Sequence, residues 1–129
     1  MCIRDRANPR RTTAMQANLD DARKHHATIR TGGHTMGGEG NFFEPTVVTE
    51  LPTDARAMNE EPFGPLAVIN PFKTFDDAVK EANRLPFGLA AYAWTKSART
   101  AQAIGAAVET GMISINHVGL CLLYTSRCV

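Results

Sequence analysis

From Pro65 onward the chain alternates short apolar runs with stretches that carry helix-start signals, and this alternation restricts the fold more than any other feature. PLAVINPF, residues 65–72, is a continuous apolar run bounded by prolines, the pattern of a buried strand. Thr74 then stands as an N-cap for FDDAVKEANRL, in which Phe75, Ala78, Val79 and Ala82 share one face. Leu89 to Trp94 reads as the next strand. Ser97 caps ARTAQAIGAAVE, with Ala101, Ile104 and Val108 inward and Gly111 just past its end. MISIN, residues 112–116, is the last strand. Strands that alternate with helices need crossover connections, so the pattern predicts an α/β fold with a mostly parallel sheet.

The first half is less regular. Met15, Leu19 and Ala22 recur at steps of four and three, which predicts a helix from Thr12 to about Ala27. A short strand at Ala27–Arg30 leads into TGGHTMGGEG, and EPTVVTEL (residues 44–51) reads as another strand. Thr53 is placed to cap a short helix over DARAMN. The glycine-rich stretch matches neither phosphate-loop pattern and lies between two strands, so a hairpin connection is expected. His25 and His26 are adjacent and point to different sides of a helix, which does not suit chelation of one metal ion. They read as solvated surface histidines.

Three cysteines, at positions 2, 121 and 128, fit neither a zinc spacing nor an even disulfide framework. Their setting is informative at the level of codons. One codon choice for CLLYTS has a reverse complement that encodes Met1 to Asp5 in another frame. A second inverted copy placed after it encodes Arg127, Cys128, Val129 and a stop. A single short DNA element thus accounts for both ends, and it resembles the adaptor of transposase-made sequencing libraries. Residues 1–6 and 121–129 are therefore expected to be adaptor translations, and 7–120 a fragment of a longer protein. Without the flanks, 11 basic and 12 acidic residues remain and no cysteine. The net charge of +1 for the whole chain gives no basis for binding nucleic acid or an anionic membrane. No apolar run has the length of a membrane span, and a cytoplasmic location is expected.

NEEPFGP, residues 59–65, sets two acids beside a Pro-Phe-Gly-Pro run directly before a strand. Pro62 and Pro65 bias the residues before them toward extended backbone, giving a stiff connection at the sheet edge where α/β proteins place ligands. A carboxylate there can accept both hydroxyls of a ribose diol, and a phenyl ring can pack on a flat heterocycle. A solvated Glu pair beside a core Phe fits the same letters.

Over nearly all of residues 7–120 the sequence resembles the C-terminal part of the catalytic domain of the NAD(P)-dependent aldehyde dehydrogenase superfamily, and most of all its succinate-semialdehyde dehydrogenase branch. The resemblance rests on ANPRR, GNFFEPTVVTELP, EEPFGPLAVINPF, ANRLPFGLAAYAWTKS and GMISINH, which occur in the family's order. It implies that Glu61 holds the nicotinamide ribose and that Phe63 borders the nicotinamide. It implies too that Asn116 supports the active-site floor, and that His117 and Val118 contribute to the substrate tunnel. NAD or NADP is the implied cofactor and a small-molecule aldehyde the substrate, with a homo-oligomeric parent enzyme. The family's nucleophilic Cys, base Glu and dinucleotide domain precede ANPRR, so this chain alone is expected to be inactive. Cys2, Cys121 and Cys128 do not replace that nucleophile. A non-catalytic α/β binding or scaffold module of the same fold is the rival reading, because a fold alone does not fix a function.

Overall fold

In the computed structural model, residues 9–38 and 40–119 are described, and they form two compact units divided between Pro71 and Phe72. The terminal segments expected to be adaptor translations, with all three cysteines, lie outside the described residues.

In the first unit, helix α1 (Pro9–Lys24) precedes three strands, β1 (Thr28–Thr31), β2 (Thr46–Thr49) and β3 (Leu66–Ile69). The helix starts earlier than Thr12 because Pro9 already has the φ of a first helical turn and owes no amide bond there. It stops before Ala27 because His26 turns left-handed, at φ +59°. The His26 amide then donates to the Arg23 carbonyl and the Ala27 amide to the Ala22 carbonyl, closing the helix end. Arg23 and Lys24 in the last turn suit the negative end of the helix dipole.

The sheet runs β1-β2-β3, with β1 antiparallel and β3 parallel to β2. Along β2, Thr46 and Val48 are buried while Val47 and Thr49 are half-buried, the period of two that a strand imposes. Met15, Leu19 and Ala22 of α1 close on Val48, with Phe43, Leu51 and Ala55 completing the core.

The antiparallel pairing of β1 with β2 accords with a hairpin connection through the glycine-rich stretch. Gly32 is required there. It has φ +70°, and a Cβ would collide with the Pro45 carbonyl oxygen and crowd Thr46 Oγ1. The Gly33 amide donates to that same Thr46 hydroxyl at 2.9 Å.

Two expectations fail in this unit. Thr53 caps nothing: the short helix is a single 3-10 turn, Arg56–Met58, whose N-cap, Ala55, makes no side-chain bond. Asp21 of α1 supplies the acceptor instead, taking the Arg56 amide at 2.7 Å, while the Thr53 carbonyl receives Asn59 Nδ2. Nor is β3 buried on both faces. Leu66 and Val68 pack toward the core, but Ala67 and Ile69 are exposed, because alternate residues of a strand face opposite sides of the sheet and only one side meets the core.

The second unit follows the expected order, with α2 (Phe75–Ala82), β4 (Ala90–Ala93), α3 (Ala98–Ala107) and β5 (Met112–Ile115). Thr74 caps α2 in a full capping box with Asp77, and Ser97 accepts the Thr100 amide at the start of α3. Strands β4 and β5 are parallel over four residue pairs. Helix α3 ends with Val108 in an extended conformation, so Gly111 opens the β4–β5 ladder rather than capping the helix, its amide donating to Gly88. Asn83, after α2, donates to the Ala107 carbonyl and accepts the Glu109 amide, tying the ends of both helices together. The fully buried apolar side chains among the described residues all belong to the first unit. In the second, Phe72, Leu89 and Trp94 are more than half exposed.

The two glycine environments give a direct comparison. Gly32→Ala should destabilise the first unit by roughly 1–3 kcal/mol, since backbone strain and collision add. Gly37→Ala, with open space around its Cβ, should stay within about 0.5 kcal/mol. Equal urea midpoints for the two variants would contradict the close approach of Gly32 to Pro45.

Candidate cofactor loop and substrate-side turn

The loop at Asn59–Pro65 is built outward from the core. The Gly64 backbone lies directly on Met15, whose side chain is fully buried, and a Cβ on Gly64 would run into Met15 Sδ. One residue on, the Pro65 carbonyl accepts the Thr46 amide at 2.8 Å and joins the loop to β2. With both anchors behind it, the loop turns its preceding residues toward solvent.

The two acids separate. Glu60 is held by Arg56, Nε to Oε2 at 2.8 Å, whereas Glu61 is exposed and no described residue pairs with its carboxylate. Phe63 is no core residue. It is 62% exposed, adopts φ +40°, and carries the Arg11 guanidinium over its ring at 5.3 Å from the centroid. An aromatic side chain at positive φ is held against its local preference, and such positions concentrate at functional sites.

In the second unit, Asn116 follows β5 at φ +57°. Its amide group grips the backbone of Thr95, Oδ1 accepting the Thr95 amide at 2.9 Å and Nδ2 donating to the Thr95 carbonyl at 2.8 Å. Asn tolerates the left-handed region better than most residues, and here the side chain repeats a strand's own hydrogen-bond pair. The turn beyond is fixed by Ser114 Oγ donating to the His117 carbonyl at 2.7 Å. His117 Nδ1 stays within hydrogen-bond distance of both Gly119 backbone groups, and Val118 is 75% exposed.

Asn70 went unnoticed in the sequence and does the same work in the first unit. Its side chain accepts the Leu51 amide and donates to the Leu51 carbonyl. In both cases the Asn directly follows the second of two parallel strands, and it binds the second residue beyond the first strand. The signal was present as Ile69-Asn70 and Ile115-Asn116 at the ends of two apolar runs.

His25 faces Asp21 and Asp54 at 3.8 and 3.9 Å, and His34 pairs with Glu44 at 3.2 Å. Among the described residues no group of three or more His, Cys, Asp or Glu side chains could hold a metal ion. The second unit has an apolar groove of about 520 Å³ between Phe75, Val79, Tyr92, Trp94, Ile104 and Ile113, lined by no carboxylate, amine or imidazole.

Residues 6–121 match the model of the aldehyde dehydrogenase family. The chain is 40% identical over 102 residues to a probable succinate-semialdehyde dehydrogenase [NADP(+)] of Sinorhizobium fredii, covering 79% of this chain and 21% of that protein. A 4-(hydroxymethyl)benzenesulfonate dehydrogenase of Comamonas testosteroni is 38% identical over 114 residues, covering 88% and 24%. Among solved structures, an E. coli NADP-dependent enzyme superposes with a TM-score of 0.85 at 32% identity, over 90% of this chain and 24% of that one. The chain thus spans between a fifth and a quarter of the length of these relatives.

The Asn116 clamp has a local readout. Asn116→Ala loses two hydrogen bonds and leaves a Cβ residue at positive φ, and should destabilise the second unit by about 2–4 kcal/mol. Asn116→Gly removes only the clamp and should cost about 1–3 kcal/mol. In both variants the Thr95 amide should exchange with solvent faster, and unchanged protection there would contradict the clamp.

Proposed function

The chain belongs to the aldehyde dehydrogenase family, and from that premise we propose that it is part of the catalytic domain of an NAD(P)-dependent enzyme oxidising a semialdehyde to a carboxylate. Succinate semialdehyde, or a close analogue, is the proposed substrate. The observation that carries the reading is the division of labour in NEEPFGP: Glu60 is neutralised by Arg56, while Glu61 and Phe63 are presented to solvent from a loop braced on Met15.

A free carboxylate and an exposed ring suit a dinucleotide. Glu61 would accept the two hydroxyls of the nicotinamide ribose, and Phe63 would pack on the nicotinamide and limit its tilt. NAD(P)+, when bound, accepts the hydride. Asn116 would fix the backbone from which His117 and Val118 extend to line the substrate's path. The nucleophile, the general base and the dinucleotide domain belong to the remainder of the longer protein, so the isolated chain is inactive. A family match over residues 6–121 supports taking residues 7–120 as the enzyme-derived part, and the flanks are taken as adaptor translations on their codons alone.

The relatives' names support an anionic substrate, since succinate semialdehyde and a benzenesulfonate are both small organic anions. The intact enzyme is taken to be a cytoplasmic homo-oligomer. None of the described helices is long and apolar enough to cross a membrane.

In the full-length enzyme, Glu61→Gln should raise KM for the dinucleotide about tenfold or more, the loss of a charge-assisted hydrogen bond, with KM for the aldehyde nearly unchanged. A rise confined to the aldehyde KM would refute the ribose-binding role. The 129-residue chain alone should show no NAD(P)-linked aldehyde oxidation, and turnover by the purified chain would overturn the proposed inactivity.

A further inference from the structure

Phe63 is an apolar ring left mostly in water on a backbone conformation that aromatic residues avoid, and the core does not explain its pose. Its neighbour in space is Arg11, in the first turn of α1. That is a poor place for a cation: the helix dipole favours negative charge there, and this first turn has no acidic residue. No carboxylate among the described residues pairs with Arg11. Its guanidinium instead lies 5.3 Å from the Phe63 centroid, within the range of a cation–π contact. One face of the ring is therefore covered by a cation, which leaves the other for a flat partner.

We infer that Arg11 is a positioning residue for the cofactor, acting through Phe63: it covers one face of the ring so that the opposite face is held ready for the nicotinamide. The inference rests on the cofactor role proposed for Phe63 and adds to it a residue from the other end of the first unit, 52 positions away in sequence. Arg11 touches no reacting atom. Its effect is to reduce the ring's freedom before the dinucleotide binds, so it should act on cofactor affinity and leave the chemical step alone.

The experiment is steady-state kinetics on the full-length enzyme carrying Arg11→Gln, Arg11→Lys or Phe63→Ala, with thermal unfolding of each. Arg11→Gln should raise the dinucleotide KM about two- to fivefold, the size of an exposed cation–π contact, with the aldehyde KM, kcat and unfolding midpoint unchanged. Arg11→Lys, which keeps a cation for the ring, should recover most of that loss. If Phe63→Ala raises the dinucleotide KM and Arg11→Gln does not, the role of Arg11 falls while that of Phe63 stands. If neither variant changes it, both fall. A rise in Arg11→Gln matched by a lower midpoint, with no recovery in Arg11→Lys, would mark Arg11 as a structural residue and overturn the inference.

Discussion

The first unit depends on the contact between Met15 and Gly64. Met15 is the first of the buried residues along α1, and the Gly64 backbone approaches it so closely that no side chain fits between them. That seat sets the depth of the loop against the core, and the Pro65–Thr46 hydrogen bond sets its register on β2. Glu61 and Phe63 precede these anchors and therefore project outward. A larger residue at 64 would move the whole loop rather than one side chain, because interiors at native density do not absorb extra volume locally.

A second device ends the parallel strands. Asn70 and Asn116 each stand one residue past a strand and reproduce, with a side-chain amide, the donor and acceptor of another peptide unit. Parallel strands lack a tight turn to hold their ends together, so the last residues fray unless something else satisfies their backbone groups. Asn83 joins α2 to the end of α3 by the same two-bond grip. At Asn116 the grip also launches the turn that carries His117 and Val118.

What could be read from the sequence was what local chemistry decides. Thr74 and Ser97 announced their helices because a hydroxyl three residues before an orphan amide is a local arrangement. The strands of the later half followed from apolar runs broken by Pro, Gly and charge, β2 from a pair of valines flanked by threonines, and the family resemblance rested on motifs that stand intact in the letters. The misplaced features are those settled by distant residues. Asp21 displaced Thr53 as the acceptor for the 3-10 turn across 35 positions, and no local pattern reveals that. The exposure of Ile69 depends on which face of the sheet is packed against the core, which the run of apolar letters does not encode. The split between Glu60 and Glu61 was hidden too, since it depends on Arg56 lying one helical turn before Glu60 and not Glu61.

Glu61 and Phe63 are proposed to form the nicotinamide-riboside end of a dinucleotide site. A crystal structure of the full-length enzyme with NAD(P)+ bound tests it most directly. The account predicts Glu61 carboxylate oxygens at about 2.6–3.2 Å from both ribose hydroxyls, with the Phe63 ring stacked on the nicotinamide. A bound dinucleotide with Glu61 left in solvent, and Phe63 turned away from the nicotinamide, would contradict it.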